Sequence, residues 1–240
     1  MRNPEAHQFL TDLWRHLNQS LLPVIDVPLE VEKEAREVYP SKPSKKSVFL
    51  EGALVSRFIT PQIHRFIVTH AGLNNELASE SLISENKIDK TRGYANKAIV
   101  TAHPFRHPFG KSLSKTAREI ANRWYAEENA LSSKHPDLCL TMPYRILIEA
   151  KYLQSKKFDA GVELVKSVYE ALFYRGLAAV KDGKRLWDYD FAVALVYDGT
   201  PDGSFCKAWE DLSSDVRNAI WNAANIFVMP IRGTDRATSA

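Results

Sequence analysis

Two carboxylates and one lysine stand at the ends of two short apolar segments in the middle of the chain. Asp137 opens the first segment, Glu149 and Lys151 close the second, and Pro143 separates the two. Charged groups in an apolar surround are costly to bury unless a counter-ion or a hydrogen-bonding partner compensates them. The pattern predicts a metal-dependent centre that hydrolyses phosphodiester bonds.

The two segments are predicted to form a β-hairpin that turns at Pro143. With the turn centred there, Asp137 lies opposite Glu149, and side chains paired across a hairpin point to the same face about 5 Å apart. Period-two alternation places Leu147 and Lys151 on the face of Glu149, with the intervening isoleucines on the other face. An even-numbered loop would shift the pairing by one residue and separate the carboxylates. The prediction therefore requires an odd-numbered loop or a bulge.

The predicted carboxylate pair needs a cation. Two carboxylates this close repel each other in an apolar surround, so one takes up a proton unless a positive ion neutralises them. Mg²⁺ is the natural ion, because it prefers oxygen ligands and keeps positions for water and substrate phosphate oxygens; Mn²⁺ can substitute for it. Lys151, beside the pair, can hold the attacking water or stabilise the negative charge that develops on the phosphate.

A helix predicted over 112–131 precedes the hairpin. Its apolar residues share one face, and Glu128 falls on that face, which predicts that Glu128 points inward. Glu127 lies at the margin of the face and Glu119 points away from it. Which of these three acidic residues joins the site is left open.

From residue 112 onward, helices and strands alternate. Strands are predicted over 138–142, 146–151, 191–197 and 226–231, and helices over 112–131, 158–177 and 208–224. Alternation of this kind is typical of a mixed sheet covered by helices. We therefore predict an α/β (α+β) core over 111–232, followed by a flexible tail over 233–240.

The first 110 residues are predicted to form a largely helical N-terminal region. Asn3 can cap a helix that begins at Pro4 and repeats apolar residues at helical spacing as far as Leu21. A charged segment over 29–38 indicates a short, mostly solvated helix, and the polar stretch over 39–47 indicates a loop or a boundary. The structure over 48–69 is left open, 73–83 is weakly helical, and 181–184 is predicted to be a polar loop.

Pro136-Asp137 followed by Glu149-Ala150-Lys151 resembles the motif of the PD-(D/E)XK nuclease superfamily. The order of predicted elements in the second half of the chain also resembles that of the family's core. The resemblance implies a restriction-endonuclease-like mixed β-sheet flanked by helices.

The resemblance further implies a role for each motif residue. Asp137 and Glu149 would bind the metal, Ala150 would lend its backbone carbonyl, and Lys151 would assist the attacking water. Many members add an acidic residue from the preceding helix, for which Glu128 is the candidate. A structural interpretation stays open, in which Asp137 caps a turn and Glu149 pairs with Lys151 at the edge of a strand.

Basic side chains are concentrated just upstream of the motif. The net charge of +3 decides nothing by itself, but residues 90–123 contain eight Lys or Arg residues against Glu119 alone. The candidates for DNA contacts are Arg92, Lys97, Arg106, Lys111 and Lys115. A basic face that is merely solvated is the alternative.

Composition excludes several classes of protein. Cys139 and Cys206 lie far apart and form no CxxC pair, so neither a disulfide framework nor a cysteine zinc site is indicated. The longest apolar runs are too short to span a bilayer, and the N-terminus lacks the apolar region of a signal peptide. We expect a soluble, cytoplasmic protein with no membrane partner.

Together these features predict a Mg²⁺-dependent DNA endonuclease, most similar in style to type II restriction endonucleases. Region 1–110 would serve DNA recognition or dimerisation, and cleavage of both strands of double-stranded DNA favours a homodimer. A repair or recombination nuclease of the same fold is one alternative. A non-catalytic nucleic-acid-binding protein is the other.

Overall fold

Helices and strands follow one another along the chain. The computed structural model describes residues 3–21, 27–41, 43–84, 136–153, 159–176, 180–181, 184–185 and 189–233. The strands are β1 (Leu82–Ser84), β2 (Leu138–Leu140), β3 (Ile146–Leu153), β4 (Val180–Lys181), β5 (Lys184–Arg185), β6 (Phe191–Asp198) and β7 (Ile226–Arg232). The helices are α1 (Pro4–Leu21), α2 (Val27–Val38), α3 (Pro43–Leu54), α4 (Thr60–His70), α5 (Asn75–Ser81), α6 (Ala160–Gly176), α7 (Ser204–Glu210) and α8 (Ser214–Ala224), with a π-helical segment (Val55–Ile59) between α3 and α4.

Five strands form one mixed sheet in the order β1–β2–β3–β6–β7. Strand β2 is antiparallel to both β1 and β3, whereas β6 runs parallel to β3 and to β7. Every residue of β6 is buried, as expected for a strand between parallel neighbours with helices on both faces. The predicted mixed sheet covered by helices is confirmed, and β4 pairs with β5 separately.

Alternation along the strands divides the apolar side chains between two clusters. Ile146 and Ile148 pack in the cluster that contains α1, α3 and α4, whereas Leu147 packs with α6, α7 and α8. Glu149 and Lys151 have the same parity as Leu147, so they lie on the face that α6 covers. This division of β3 agrees with the alternation predicted from the sequence.

The N-terminal helix belongs to the same hydrophobic core as the sheet. At its start, Asn3 Oδ1 accepts a hydrogen bond from the Ala6 N–H at 3.0 Å, which confirms the predicted cap. Leu13 is fully buried against the sheet, and the indole N–H of Trp14 donates to the Pro230 carbonyl of β7 at 2.8 Å. The described part of region 1–110 therefore packs directly on the predicted core.

Two expectations for the N-terminal half are corrected, and the structure of one open stretch is assigned. Helix α3 begins at Pro43, inside the stretch predicted as a loop, because a proline is well tolerated in the first turn of a helix. The open stretch 48–69 is helical throughout. The weakly helical stretch 73–83 ends in β1, whose three residues are too short for a sequence pattern and gain their structure by pairing with β2.

Two expectations for the C-terminal half are also corrected. The single helix predicted over 208–224 is divided into α7 and α8, because the Ser213 side chain accepts a hydrogen bond from the Val216 N–H and starts a new helix. The predicted loop over 181–184 is bounded by paired strands, since Lys181 lies opposite Lys184.

Several predicted features lie outside the described residues. They are the helix over 112–131 with Glu119, Glu127 and Glu128, the tail after Gly233, and the basic residues Arg92, Lys97, Arg106, Lys111 and Lys115. They stay predictions. Within the described segments, no helix is long and apolar enough to cross a membrane.

Candidate functional site

The loop between β2 and β3 sets the register of the two carboxylates. The paired residues are Leu138 with Ile148, Cys139 with Leu147, and Leu140 with Ile146. The loop over 141–145 has an odd number of residues and contains a cis bond before Pro143. The predicted odd-numbered loop is confirmed, and the same register, continued by one pair beyond the start of β2, sets Asp137 opposite Glu149.

Asp137 is held by the strand that it faces. Its Oδ2 atom accepts a hydrogen bond from the backbone N–H of Ala150 at 2.7 Å. The N–H and the C=O of one strand residue point to the same side, so the Ala150 carbonyl is directed toward the edge where Asp137 lies. Burial raises the pKa of Asp137 to about 7, although the Ala150 hydrogen bond favours the ionised form.

Glu149 is buried beside it. The residue is 8% exposed, and its Oε2 atom is buried with no hydrogen-bond partner among the described residues. Burial and the Asp137 carboxylate together raise the pKa of Glu149 to about 10. The two carboxylates thus form a pair that lacks a sufficient counter-charge and holds a proton at neutral pH.

Lys151 forms an ion pair across the interface between the sheet and α6. Its Nζ atom contacts Oε2 of Glu170, and the side chains are 19% and 8% exposed. Burial lowers the pKa of Lys151, but the Glu170 carboxylate, with contributions from Glu51 and Glu149, outweighs burial and raises it. The ion pair between Glu149 and Lys151 that the structural interpretation predicts is not formed, because Lys151 pairs with Glu170 of α6 instead.

Glu51, on α3, is a third carboxylate that approaches β3. Burial raises its pKa, while Lys151 and a hydrogen bond with the Tyr152 backbone oppose the increase. The charges of Glu51 and Glu170 both raise the pKa of Asp137 and of Glu149, so two further carboxylates act on the pair. A helix upstream of the hairpin therefore does bring an acidic residue to this region.

Glu51 and Glu170 were not identified from the sequence, although each carries a visible signal. Glu51 is the single charged residue in the apolar stretch 48–55. Glu170 follows Val168 and Tyr169 within the buried face of a helix that was correctly predicted. A lone carboxylate among residues that must be buried indicates a partner supplied by another element.

The predicted site residues divide into two groups. The structure brings together four of them: Asp137, directly before β2, and Glu149, Ala150 and Lys151 on β3. Glu128 lies outside the described residues. In the part of the chain that the structure describes, no three or more His, Cys, Asp or Glu side chains form a group arranged to hold a metal ion.

No protein-family model, curated protein or solved structure matches this chain. The chemistry of the site must therefore be derived from its own geometry and charges.

Proposed function

We propose that this protein is a Mg²⁺-dependent DNA endonuclease with a PD-(D/E)XK centre and a restriction-endonuclease-like core. The observation that carries the proposal is the hairpin register, which sets Asp137 beside Glu149 with Lys151 on the same strand. The order of elements supports it as well, because the hairpin is followed by α6 and then by β6, which runs parallel to β3.

The carboxylate pair fits a divalent cation. Oε2 of Glu149 is a buried acceptor without a partner among the described residues, and burial raises the pKa of Asp137 and of Glu149. Mg²⁺ commonly takes only one or two carboxylates from a protein and completes its shell with water and phosphate oxygens. Asp137, Glu149 and the Ala150 carbonyl would hold Mg²⁺, or Mn²⁺ in its place.

The catalytic roles follow from charge. A bound Mg²⁺ would supply a Lewis acid for a phosphoryl oxygen and lower the pKa of a water molecule. Lys151 contributes a lasting positive charge, because its raised pKa keeps the amine protonated at neutral pH. Its remaining N–H groups can donate to the attacking water or to a phosphate oxygen on which negative charge grows. A protonated lysine stabilises charge and does not accept the proton of the water.

Glu51 supplies the additional acidic residue that the resemblance implies. It lies on a helix upstream of the hairpin and its charge acts on both Asp137 and Glu149. Glu51 is the described residue that we propose for this role, and Glu128, outside the described residues, stays the candidate from the sequence. A carboxylate with a raised pKa is suited to take up a proton from the attacking water.

The partner in this proposal is double-stranded DNA, bound by a homodimer. The support is the chemistry of the centre, which acts on phosphodiesters, and the basic residues over 90–123. A two-fold axis would direct one centre to each strand of a duplex. This arrangement favours a type II-like restriction enzyme over a repair nuclease of the same fold.

The experiment is incubation of the purified protein with plasmid and phage DNA in Mg²⁺ or in EDTA. Discrete fragments that need Mg²⁺ are the expected result. Progressive shortening from DNA ends would identify an exonuclease of the repair type. Retention of DNA in a gel shift, with no cleavage in any divalent metal, would contradict the enzyme proposal and indicate a non-catalytic DNA-binding protein.

A further inference from the structure

We infer that Glu170 holds Lys151 away from the Asp137–Glu149 pair and so keeps that pair open for a divalent cation. Glu170 is then a positioning residue that acts through Lys151. The inference rests on the metal binding that the proposed function requires.

The first observation is that Lys151 forms its ion pair with Glu170 and not with Glu149. Lys151 and Glu149 lie two residues apart on the same face of β3, and Glu149 is an unsatisfied acceptor at Oε2 among the described residues. The lysine ammonium nevertheless contacts Glu170, on the facing helix. The positive charge nearest to the carboxylate pair is therefore directed elsewhere.

The burial of Glu170 is the second observation. The residue is 6% exposed on α6, where Val165 and Val168 are fully buried against the sheet. A buried carboxylate is strongly unfavourable without a compensating charge, and Lys151 supplies it. Because helix packing fixes the backbone of Glu170, the flexible lysine stem is the part that adapts to the pair.

Loss of Glu170 would release the ammonium. Oε2 of Glu149, on the same face of the same strand, is an acceptor without a partner among the described residues, and an ion pair there would neutralise the carboxylate that a metal needs. Lys151 and the cation would compete for the same oxygen. The charge of Glu170 also acts directly on Asp137 and Glu149, so the dependence of divalent-ion affinity on Glu170 should be much larger while Lys151 is present than when it is absent.

A double-mutant cycle tests this dependence, with Mn²⁺ as the probe and electron paramagnetic resonance of free Mn²⁺ as the readout. We expect Glu170→Gln to weaken Mn²⁺ binding about tenfold, which corresponds to about 1.4 kcal/mol. In a Lys151→Met background, the same change should have a clearly smaller effect, because only the direct field of Glu170 on the pair is then lost. Glu163→Gln is the matched control, since Glu163 also forms an ion pair on α6, with Lys166 at 2.6 Å, and should bind Mn²⁺ like the wild type.

The outcomes separate the inference from the proposed function. An equal loss of affinity in both backgrounds would show plain long-range electrostatics and overturn the inference alone. Failure of the wild-type protein to bind Mn²⁺ would overturn both. Non-additive Mn²⁺ binding without any DNA cleavage would support the inference and overturn the nuclease.

Glu170→Asp keeps the test decisive if Glu170→Gln does not fold. Aspartate retains the charge but shortens the side chain by one methylene, so the contact with Lys151 is weakened while the long-range field persists. Weaker Mn²⁺ binding is the expected result. Affinity equal to that of the wild type would overturn the inference.

Discussion

Asp137 and Ala150 are joined by a hydrogen bond of 2.7 Å from the Ala150 N–H to Asp137 Oδ2, directed across the β2–β3 hairpin. The bond ties a carboxylate at the start of β2 to the backbone between Glu149 and Lys151. The position of Asp137 is thereby coupled to the strand that carries the other charged groups. A preorganised centre of this kind does not need to rearrange when a charged ligand arrives.

Replacement of Asp137 by asparagine should separate the structural role from the chemical one. The Asn oxygen can still accept from the Ala150 N–H, so at about pH 4, where the raised pKa of Asp137 costs little, we expect the free energy of unfolding to stay within about 1 kcal/mol of the wild type. The lost charge removes a metal ligand, and DNA cleavage should fall by about a hundredfold or more. Urea denaturation and plasmid cleavage rates measure the two effects.

The matched control is Asp159→Asn. Asp159 also accepts a backbone hydrogen bond, from the Val162 N–H at 3.0 Å at the start of α6, but it lies outside the carboxylate group. Its substitution should leave cleavage unchanged. If Asp137→Asn cleaves DNA at the wild-type rate, Asp137 is not part of the proposed centre.

The stability of the metal-free protein should fall as the pH rises. The pKa of Asp137 is raised to about 7 and that of Glu149 to about 10, so the folded state binds more protons than the unfolded state above about pH 4. The contribution of these two carboxyl groups to stability is fully present below their pKa values in the unfolded state. It is lost as the pH rises through their pKa values in the folded state. Between about pH 5 and pH 9, Glu149→Gln should reduce this loss by more than about 1.4 kcal/mol, the equivalent of one pKa unit.

Urea denaturation in EDTA at several pH values measures this effect. If the free energy of unfolding changes with pH in the same way for the wild type and for Glu149→Gln, Glu149 has an ordinary pKa in the folded state. Addition of Mg²⁺ at high pH should restore stability to the wild type, because a ligand that binds only the folded state stabilises it by mass action.

Leu13→Ala should destabilise the whole described fold. Leu13 is fully buried in the cluster that joins α1 to the sheet, and a buried leucine replaced by alanine costs about 2–5 kcal/mol. We expect circular dichroism and tryptophan fluorescence to shift together in one transition, because Trp14 lies on α1 whereas Trp209 and Trp221 lie on α7 and α8. Leu77→Ala is the control, since Leu77 is 40% exposed and its loss should cost less than about 0.5 kcal/mol. Two separate fluorescence transitions, one of them at the wild-type midpoint, would make the N-terminal helices a separate folding unit.

The hairpin was predictable because local chemistry determines it. Pro143 marks the turn, apolar residues alternate on either side of it, and an odd loop follows once Asp137 and Glu149 are required to share a face. The buried strand Phe191–Asp198 was predictable for a similar reason, since its uninterrupted apolar run is typical of a central strand.

The remaining parts of the site depend on contacts between distant segments. Glu51 reaches the hairpin only because α3 packs against β3, and no local pattern relates the two. Glu170 lies on a predicted helix, but the sequence does not reveal that Lys151 turns toward it and not toward Glu149. Strand β1 is likewise defined by its partner, because three residues contain no period to detect.

The most direct test of the nuclease centre is cleavage of supercoiled plasmid by the wild type, Glu149→Gln and Lys151→Met, each in Mg²⁺ and in EDTA. We predict nicked or linear products with the wild type in Mg²⁺ alone, and a loss of about a hundredfold or more in both variants. Cleavage that persists in either variant, or intact plasmid with folded wild-type protein in Mg²⁺ and in Mn²⁺, would contradict the assignment of this carboxylate pair as a metal-dependent phosphodiesterase centre.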